Sequence, residues 1–379
     1  MKIIEVRVDQ IHFISDMVRD GEFHSHPGKP HDAKQPMLTI VCDNGIEGHY
    51  VGPMVKGVIE GGCSQVLIGE DPLFRERIYR RLLQYQRLQT ELNERTLCAI
   101  DCALWDIAGK AAGLPVYKLL GAYRDTVPCY GSIMVGDDIK GGLDTPEAYA
   151  EYALKLVKQG YKAIKLHTWM PPIIPEPSVD MDLEACKAVR EAVGPNIPLM
   201  LDPYHYYSRE EALRLARGLE KLDFLWLEEP MDEHSASSYK YLTENTKLQI
   251  CGPETAEGKY MTRADWIRFG SASIGRAGAL TCGGLTSLIK CLHLYEANGM
   301  SVEMHGNHIA NLHLLGATGI DGKYFERGLL HPMLDYEVPK PWFTANYDKM
   351  NENGDVIIPQ GPGLGYEFNW DYIKNNIVK

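Results

Sequence analysis

The sequence predicts an α/β protein, a modified TIM barrel of the (β/α)7β type with an N-terminal α+β capping domain. From about Val127 onward, short apolar strands alternate with amphipathic helices, which is typical of parallel βαβ units. About eight such strands can be counted, enough to close a barrel. The chain has 379 residues, which is long for one ordinary core but natural for a barrel with a second domain.

Residues 1–125 mix strands with helices and are expected to form the capping domain. The first strand is predicted to end near Phe13, and a polar stretch with histidines and prolines follows over 15–36. A helix is predicted over 94–112, because its apolar residues recur at intervals of three to four and Gly113 stops it.

The barrel domain is expected over residues 126–338, where helix starts are marked by capping residues. Thr145 precedes a proline at the first helical position, and Ser208 with Glu211 forms a capping box. The tail, 339–379, is rich in Pro, Gly and Asn and lacks the strand–helix rhythm. It is expected to pack back on the capping domain.

Composition and charge exclude several classes of partner. The formal net charge of −12 argues against nucleic acid or an anionic membrane surface, since both attract basic patches. No apolar run approaches the roughly 20 residues that span a bilayer, and no secretory signal is recognisable, so a cytoplasmic protein is expected. The nine cysteines are expected to be buried, reduced thiols. A homo-oligomer is also expected, because barrels of this kind often self-associate.

Three predicted strands end in a carboxylate. Asp202, Glu228 and Glu254 follow one another at intervals of 26 residues, each one strand–helix unit. The C-terminal ends of consecutive barrel strands lie side by side, so these acids would repel each other unless a cation lay between them. Oxygen ligands without His or Cys favour Mg²⁺, with Mn²⁺ as the alternative. The sequence therefore predicts a metal site here, against the alternative of three unrelated solvated acids.

Three further strands carry candidate site residues, with Lys165, His167 and His305 as catalytic candidates and Glu326 as a candidate substrate contact. Lys165 and His167 are two apart in KAIKLH and therefore share one face of the second barrel strand. A neighbouring cation is expected to lower the pKa of this lysine. His305 ends SVEMH near the seventh strand, and Glu326 ends KYFE at the eighth. The alternative is that these residues are structural or solvated.

Candidate substrate contacts lie in connecting segments. Trp169 belongs to the long, proline-rich loop HTWMPPIIPEP and could form a wall of the site. His24 and His26 could cover the barrel mouth as part of a lid, and His205, three residues after Asp202, could contact substrate hydroxyls. For each of these residues a purely structural role is the alternative.

Several segments together resemble one family over nearly the whole chain. The segment AIDCALWDIAGKAAGLPVYKLLG resembles the family's connection from the capping domain to the barrel, and GPGLGYEF resembles its C-terminal signature. Its three metal-ligand strands are resembled by LMLDPYH, WLEEP and CGPET. This family is the enolase superfamily, in its mandelate racemase/muconate lactonizing enzyme branch. The resemblance implies that Asp202, Glu228 and Glu254 bind Mg²⁺ and that Glu229 faces away.

The same resemblance assigns the remaining site residues. Lys165 matches the first lysine of the family's Lys-x-Lys pair, and His167 replaces the second, which is usually the base. His305 and Glu326 match the histidine and the acid at the seventh and eighth strands. Gly278 stands where the family has the aspartate that orients this histidine, so His305 is expected to lack its usual partner.

The resemblance implies abstraction of the α-proton from a carboxylate substrate, with Mg²⁺ stabilising the ene-diolate. β-Elimination of water from a sugar acid, an aldonate or aldarate, to a 2-keto-3-deoxy acid is the expected outcome. The alternatives are a racemase, epimerase or cycloisomerase acting on a carboxylate or lactone, and a non-catalytic relative that binds a ligand.

Overall fold

The N-terminal part combines an antiparallel sheet with helices. A computed structural model describes residues 1–319 and 322–378. The elements of this part are β1 (Ile3–Arg19), β2 (Ser25–Cys42), β3 (Glu47–Val51), α1 (Lys56–Val58), a π-helical turn (Ile59–Cys63), α2 (Ser64–Leu67), α3 (Arg75–Gln86), α4 (Glu94–Ala112) and α5 (Val116–Leu119). Helix α4 matches its predicted bounds, with Asn93 capping its start and left-handed Gly113 ending it.

The β1–β2 hairpin is much longer than predicted. The expectation of a non-strand segment over 15–36 is wrong, since β1 continues to Arg19 and β2 already begins at Ser25. The two strands pair antiparallel up to Arg19 opposite Ser25, with register shifts between Ile3 and Glu5 and between Ser15 and Met17. Mutual backbone hydrogen bonding stabilises these arms, although their side chains are mostly polar and no apolar alternation marks them.

The central part is a parallel barrel. Its strands are β4 (Thr126–Ile133), β5 (Ala163–Leu166), β6 (Leu199–Leu201), β7 (Trp226–Glu228), β8 (Gln249–Gly252), β9 (Ile274–Ala277), β10 (Val302–Met304) and β11 (Phe325–Leu330). Its helices are α6 (Pro146–Lys158), α7 (Val179–Val193), α8 (Arg209–Lys221), α9 (Ala236–Asn245), α10 (Lys259–Phe269), α11 (Ala279–Cys282), α12 (Leu285–Ala297) and α13 (Ile309–Ala317). Neighbouring strands pair in parallel in the order β10-β9-β8-β7-β6-β5-β4-β11, and β10 lies against β11. The predicted (β/α)7β architecture is confirmed.

The C-terminal segment touches both other parts of the molecule. Its elements are β12 (Asp355–Ile357), α14 (Trp370–Asn376) and β13 (Ile377–Val378). Strand β12 pairs with β4 of the barrel, and β13 pairs with β1 of the antiparallel sheet. Trp342 and Ile373 pack with Ile11 and Met37 in a separate apolar cluster. The domain boundaries at 125/126 and 338/339 stay predictions.

All nine cysteines are buried and free, as predicted for reduced thiols. Across residues 1–319 and 322–378, none of the helices is both long and apolar enough to cross a membrane.

Candidate active site

The barrel interior is closed below the site by a layer of side chains, one from each of six consecutive strands. These are Tyr130, Ala163, Met200, Trp226, Cys251 and Ile274. Because strand side chains alternate, the residue two positions later points into the same interior, one layer nearer the C-terminal strand ends. That layer contains Ser132, Lys165, Asp202, Glu228 and Arg276, all of them buried. The strand period therefore places the predicted site residues together.

Lys165 is surrounded by carboxylates. Its Nζ lies 3.2 Å from Asp202 Oδ2, 3.0 Å from Glu228 Oε1 and 3.0 Å from Glu326 Oε1. Burial lowers the pKa of Lys165, but Glu228 and Glu326 outweigh this effect and raise it well above the usual value. A neighbouring cation was expected to lower this pKa, whereas the protein's own groups act in the opposite direction.

Arg276 is a central site residue that is absent from the residues predicted by sequence. Its guanidinium lies 2.6 Å from Glu228 Oε1, 3.2 Å from Glu254 Oε2 and 2.8 Å from Glu326 Oε2. The side chain is completely buried on β9, and it also donates to the Tyr130 hydroxyl at 3.2 Å. Its position two residues after Ile274 was the available signal, since strand alternation points it inward.

Lys165, Arg276 and the carboxylates around them form a buried cluster whose charges do not balance within the protein. Four buried carboxylates, Asp202, Glu228, Glu254 and Glu326, face two permanent cations, Lys165 and Arg276. Burial raises the pKa of Glu228 to about 7, although both cations lower it. An excess of carboxylates, all of them hard oxygen donors, over permanent cations suits a divalent cation such as Mg²⁺. The residues present therefore fit the predicted metal.

The two predicted histidines reach the cluster from β5 and β10. His167 Nδ1 donates to the Ile133 carbonyl at 2.7 Å, and its Nε2 lies 3.1 Å from Asp202 Oδ2. His305 Nδ1 lies 2.7 Å from Glu254 Oε2, and 32% of the His305 side chain is exposed. Burial lowers the pKa of His305, but Glu254 outweighs this and raises it above its usual value. Each histidine thus has a carboxylate of its own.

Gly278 leaves room for close backbone packing against His305. A Cβ atom at this position would lie 2.9 Å from the His305 carbonyl oxygen and 3.1 Å from its Cβ. His305 lacks a strand-six aspartate, as the sequence indicates, and Glu254 takes the place of that partner.

Restoring the family's residue at this position is expected to harm the protein. Gly278→Asp forces β9 and the segment after β10 apart, so the free energy of unfolding should fall by about 1–3 kcal/mol without any gain in turnover. Urea unfolding and steady-state rates measure both quantities. Gly57→Asp is the control, because a Cβ there meets nothing within 4 Å. Higher turnover at unchanged stability contradicts the expectation.

The expectation that Glu229 faces away from the metal ligands stays a prediction. Its side chain is buried, and its Oε2 accepts no hydrogen bond from any described residue. Burial raises the pKa of Glu229 well above its usual value, and the charges of Glu254 and Asp202 add to this effect. His205 Nδ1 lies 3.7 Å from Glu229 Oε2. Glu229 is therefore a further acid on the side of the site where His205 lies.

The predicted lid residues belong to the tip of the β1–β2 hairpin. His24 Nδ1 and His26 Nε2 both bind Asp20 Oδ2, at 3.1 and 3.0 Å. His24 Nε2 also contacts the Tyr206 hydroxyl at 3.2 Å, and the His24 ring packs edge-on against Tyr204. The hairpin tip therefore docks on the segment that follows Asp202, next to the cluster.

Trp169 is buried rather than open to the barrel mouth. Its indole Nε1 donates to the Leu143 carbonyl at 2.9 Å, and the ring packs edge-on against Tyr149. The loop tip over 171–177 contains several of the chain's prolines. The only polar group of Trp169 is thus bonded within the protein, and its role as a wall of the site stays a prediction.

The fold and this cluster define a barrel enzyme site of the enolase type. Residues 148–372 match the enolase C-terminal domain-like family, and residues 23–121 match the mandelate racemase/muconate lactonizing enzyme N-terminal domain. The chain therefore belongs to the enolase superfamily, in its mandelate racemase/muconate lactonizing enzyme branch.

Its relatives and structural neighbours include sugar-acid enzymes. L-talarate/galactarate dehydratase of Salmonella typhimurium is 32% identical, over 79% of this chain and 70% of its own. D-galactarolactone cycloisomerase of Agrobacterium fabrum is 29% identical, over 98% and 97%. The crystal structure of D-glucarate dehydratase from Agrobacterium tumefaciens, complexed with magnesium, is 49% identical and superposes with a TM-score of 0.98 over 100% of both chains.

Proposed function

We propose that the protein is a Mg²⁺-dependent hydro-lyase that removes water from a sugar acid, an aldonate or aldarate, and forms a 2-keto-3-deoxy acid. The observation that carries this proposal is the single buried cluster of four carboxylates with Lys165 and Arg276, flanked by His167 and His305. The similarity to a glucarate dehydratase crystallised with magnesium supports both the reaction and the metal.

Asp202, Glu228 and Glu254 are the residues proposed to hold Mg²⁺, with Mn²⁺ as a possible substitute. When bound, the ion supplies positive charge that stabilises the negative charge developing on the substrate carboxylate as the α-proton leaves. Lys165, held among three carboxylates, adds a second cation, and its ammonium group can hydrogen-bond a carboxylate oxygen.

The two histidines carry the proton transfers. One ring takes the α-proton, and the other donates a proton to the departing β-hydroxyl group, so that water leaves and an enol remains. Solution tautomerisation of that enol yields the 2-keto acid. The carboxylates of Asp202 and Glu254 orient the two rings and stabilise their protonated forms.

We propose that Glu326 orients Lys165 and Arg276 and acts on the substrate only through these two cations. Its carboxylate already accepts from Ser132 Oγ at 2.8 Å and from the Gly306 amide at 2.6 Å, beside Lys165 and Arg276. His205 is the more accessible candidate for a substrate hydroxyl, since 39% of its side chain is exposed. The hairpin tip with His24 and His26 is proposed to cover the bound sugar chain.

The proposal is tested by incubating the protein with a library of aldonates and aldarates in the presence of Mg²⁺. A 2-keto-3-deoxy acid should form from at least one member, and chelation should stop the reaction until Mg²⁺ is added back. Formation of product at an undiminished rate after chelation, or the absence of a keto acid from every member, contradicts the proposal.

The order of the two proton transfers is tested with His167→Asn and His305→Asn. Both variants should lose dehydration, but only the variant without the base should also lose exchange of the α-hydrogen with deuterated water. Exchange at the wild-type rate in both variants would remove both histidines from the base role.

Isomerisation is the second candidate, because a cycloisomerase aligns with 98% of the chain. It shares the abstraction of the α-proton with dehydration, but no hydroxyl group leaves afterwards. Deuterium incorporation with a new isomer and without keto acid identifies a racemase or epimerase, whereas a cycloisomerase acts on a lactone, whose ring oxygen leaves without release of water. The homo-oligomeric state and the cytoplasmic location stay predictions.

A further inference from the structure

The segment that carries Glu254 is held by a buried carboxylate. Strand β8 ends at Gly252, and 253–256 follows as an irregular segment. Glu233, from the segment after β7, accepts hydrogen bonds from the Glu254 amide at 2.7 and 2.8 Å, from the Thr255 amide at 2.5 Å and hydroxyl at 2.9 Å, and from the Ala256 amide at 3.1 Å. One carboxylate therefore binds three successive backbone amides.

The carbonyl groups of the same segment are held by a buried guanidinium. Arg263, on α10, donates to the carbonyl oxygens of Pro253 at 3.0 Å, Glu254 at 2.8 Å and Ala256 at 2.9 Å. Its side chain is completely buried, and Glu233 is 3% exposed. The backbone N–H groups around Glu254 thus donate to a buried anion, and the backbone carbonyl groups accept from a buried cation.

Two buried charges are a costly way to hold a loop. Removing a carboxylate or a guanidinium from water costs several kcal/mol, which neutral polar side chains could largely avoid. Charged groups form stronger hydrogen bonds to backbone dipoles than neutral ones, and they tolerate less displacement. The arrangement therefore favours a segment that must hold one geometry.

We propose that Glu233 and Arg263 are positioning residues that fix the Glu254 carboxylate for Mg²⁺ and so favour Mg²⁺ over Ca²⁺. This inference rests on the proposed function, in which Glu254 is a metal ligand. Mg²⁺ demands near-ideal octahedral geometry, whereas Ca²⁺ accepts more ligands at longer and more variable distances. Loosening the segment should thus weaken Mg²⁺ binding much more than Ca²⁺ binding.

Glu233→Gln is the test, because it removes the negative charge and leaves one acceptor oxygen for bonds that two carboxylate oxygens now share. The dissociation constants of Mg²⁺ and Ca²⁺ are measured calorimetrically on the full chain without substrate. The Mg²⁺ constant should rise by about 10-fold or more, which is typical when a group supporting a metal ligand is lost. The Ca²⁺ constant should rise by about threefold at most, so the preference for Mg²⁺ shrinks.

Glu220→Gln is the matched control. Glu220 accepts from the Lys247 amide at 2.5 Å, the Leu248 amide at 3.3 Å and the Thr246 hydroxyl, in the loop that enters β8 from its opposite end. Glu220→Gln likewise neutralises a carboxylate that accepts from backbone amides, but at the end of β8 that lies away from the cluster. Both metal constants should stay within about twofold of wild type.

The outcomes separate this inference from the proposed function. A wild-type protein that binds neither ion overturns both. Mg²⁺ binding by wild type, with both constants unchanged or equally raised in Glu233→Gln, overturns the positioning role alone. If Glu233→Gln does not fold, Arg263→Lys answers the same question, since lysine keeps the charge but cannot reach three carbonyls at once.

Discussion

Lys165→Met is expected to reduce turnover by about 10³-fold or more at saturating Mg²⁺ and substrate. The ammonium group lies within 3.2 Å of three carboxylates in the layer where the substrate carboxylate is proposed to bind. Methionine keeps much of the length and volume of lysine but supplies neither charge nor donor. Steady-state rates, together with solvent exchange of the α-hydrogen, measure the loss.

Lys162→Met is the control for this substitution. Lys162 lies three residues earlier and forms an ion pair with Asp355 at 2.6 Å, with 40% of its side chain exposed. An exposed pair contributes about 0–1 kcal/mol to folding and should not affect turnover. A Lys165→Met enzyme that exchanges substrate protons at the wild-type rate would remove Lys165 from the mechanism.

Arg276→Met is expected to lower the free energy of unfolding in metal-free buffer by about 3–5 kcal/mol. The substitution leaves Glu228, Glu254 and Glu326 without the guanidinium that contacts all three. Mg²⁺ should stabilise this variant more than it stabilises wild type, because the ion then offsets a larger excess of negative charge. Urea unfolding with and without Mg²⁺ measures both effects.

Arg327→Met separates this electrostatic effect from the general cost of losing a buried arginine. Arg327 is also completely buried, but its partners are Glu337, Tyr161 and Asp348, outside the cluster. The substitution Arg327→Met should destabilise the protein without changing the additional stability conferred by Mg²⁺. Equal Mg²⁺ effects in the two variants contradict the proposed place of Arg276 in the charge balance.

The barrel was predictable because its signals are local. Each strand is a short apolar run, and the helices are marked by caps such as Thr145 and Ser208, which act in the structure as the sequence indicates. The β1–β2 hairpin was not predictable, because pairing between distant backbones rather than an apolar pattern makes residues 15–36 largely extended.

The candidate site was likewise predictable only in part. Lys165, Asp202 and Glu228 follow from strand ends and a period of two, and the structure brings them together in one layer. Arg276 and Glu229 were not predicted as part of the site, because strand alternation indicates that Arg276 points inward but not which groups surround a charged side chain. Their burial is decided by the strands and loops that surround them.

The sequence by itself determined the alternation of strands and helices, the family, and the carboxylates Asp202, Glu228 and Glu254 at the strand ends. These features depend on residue type and on spacing along the chain. Only the tertiary structure decided that Glu254 is the carboxylate partner of His305, that Arg276 enters the cluster, and that Glu233 and Arg263 hold the segment around Glu254. Contacts of this kind join residues from different strands and loops. Their energies depend on distance and desolvation, which no linear pattern records.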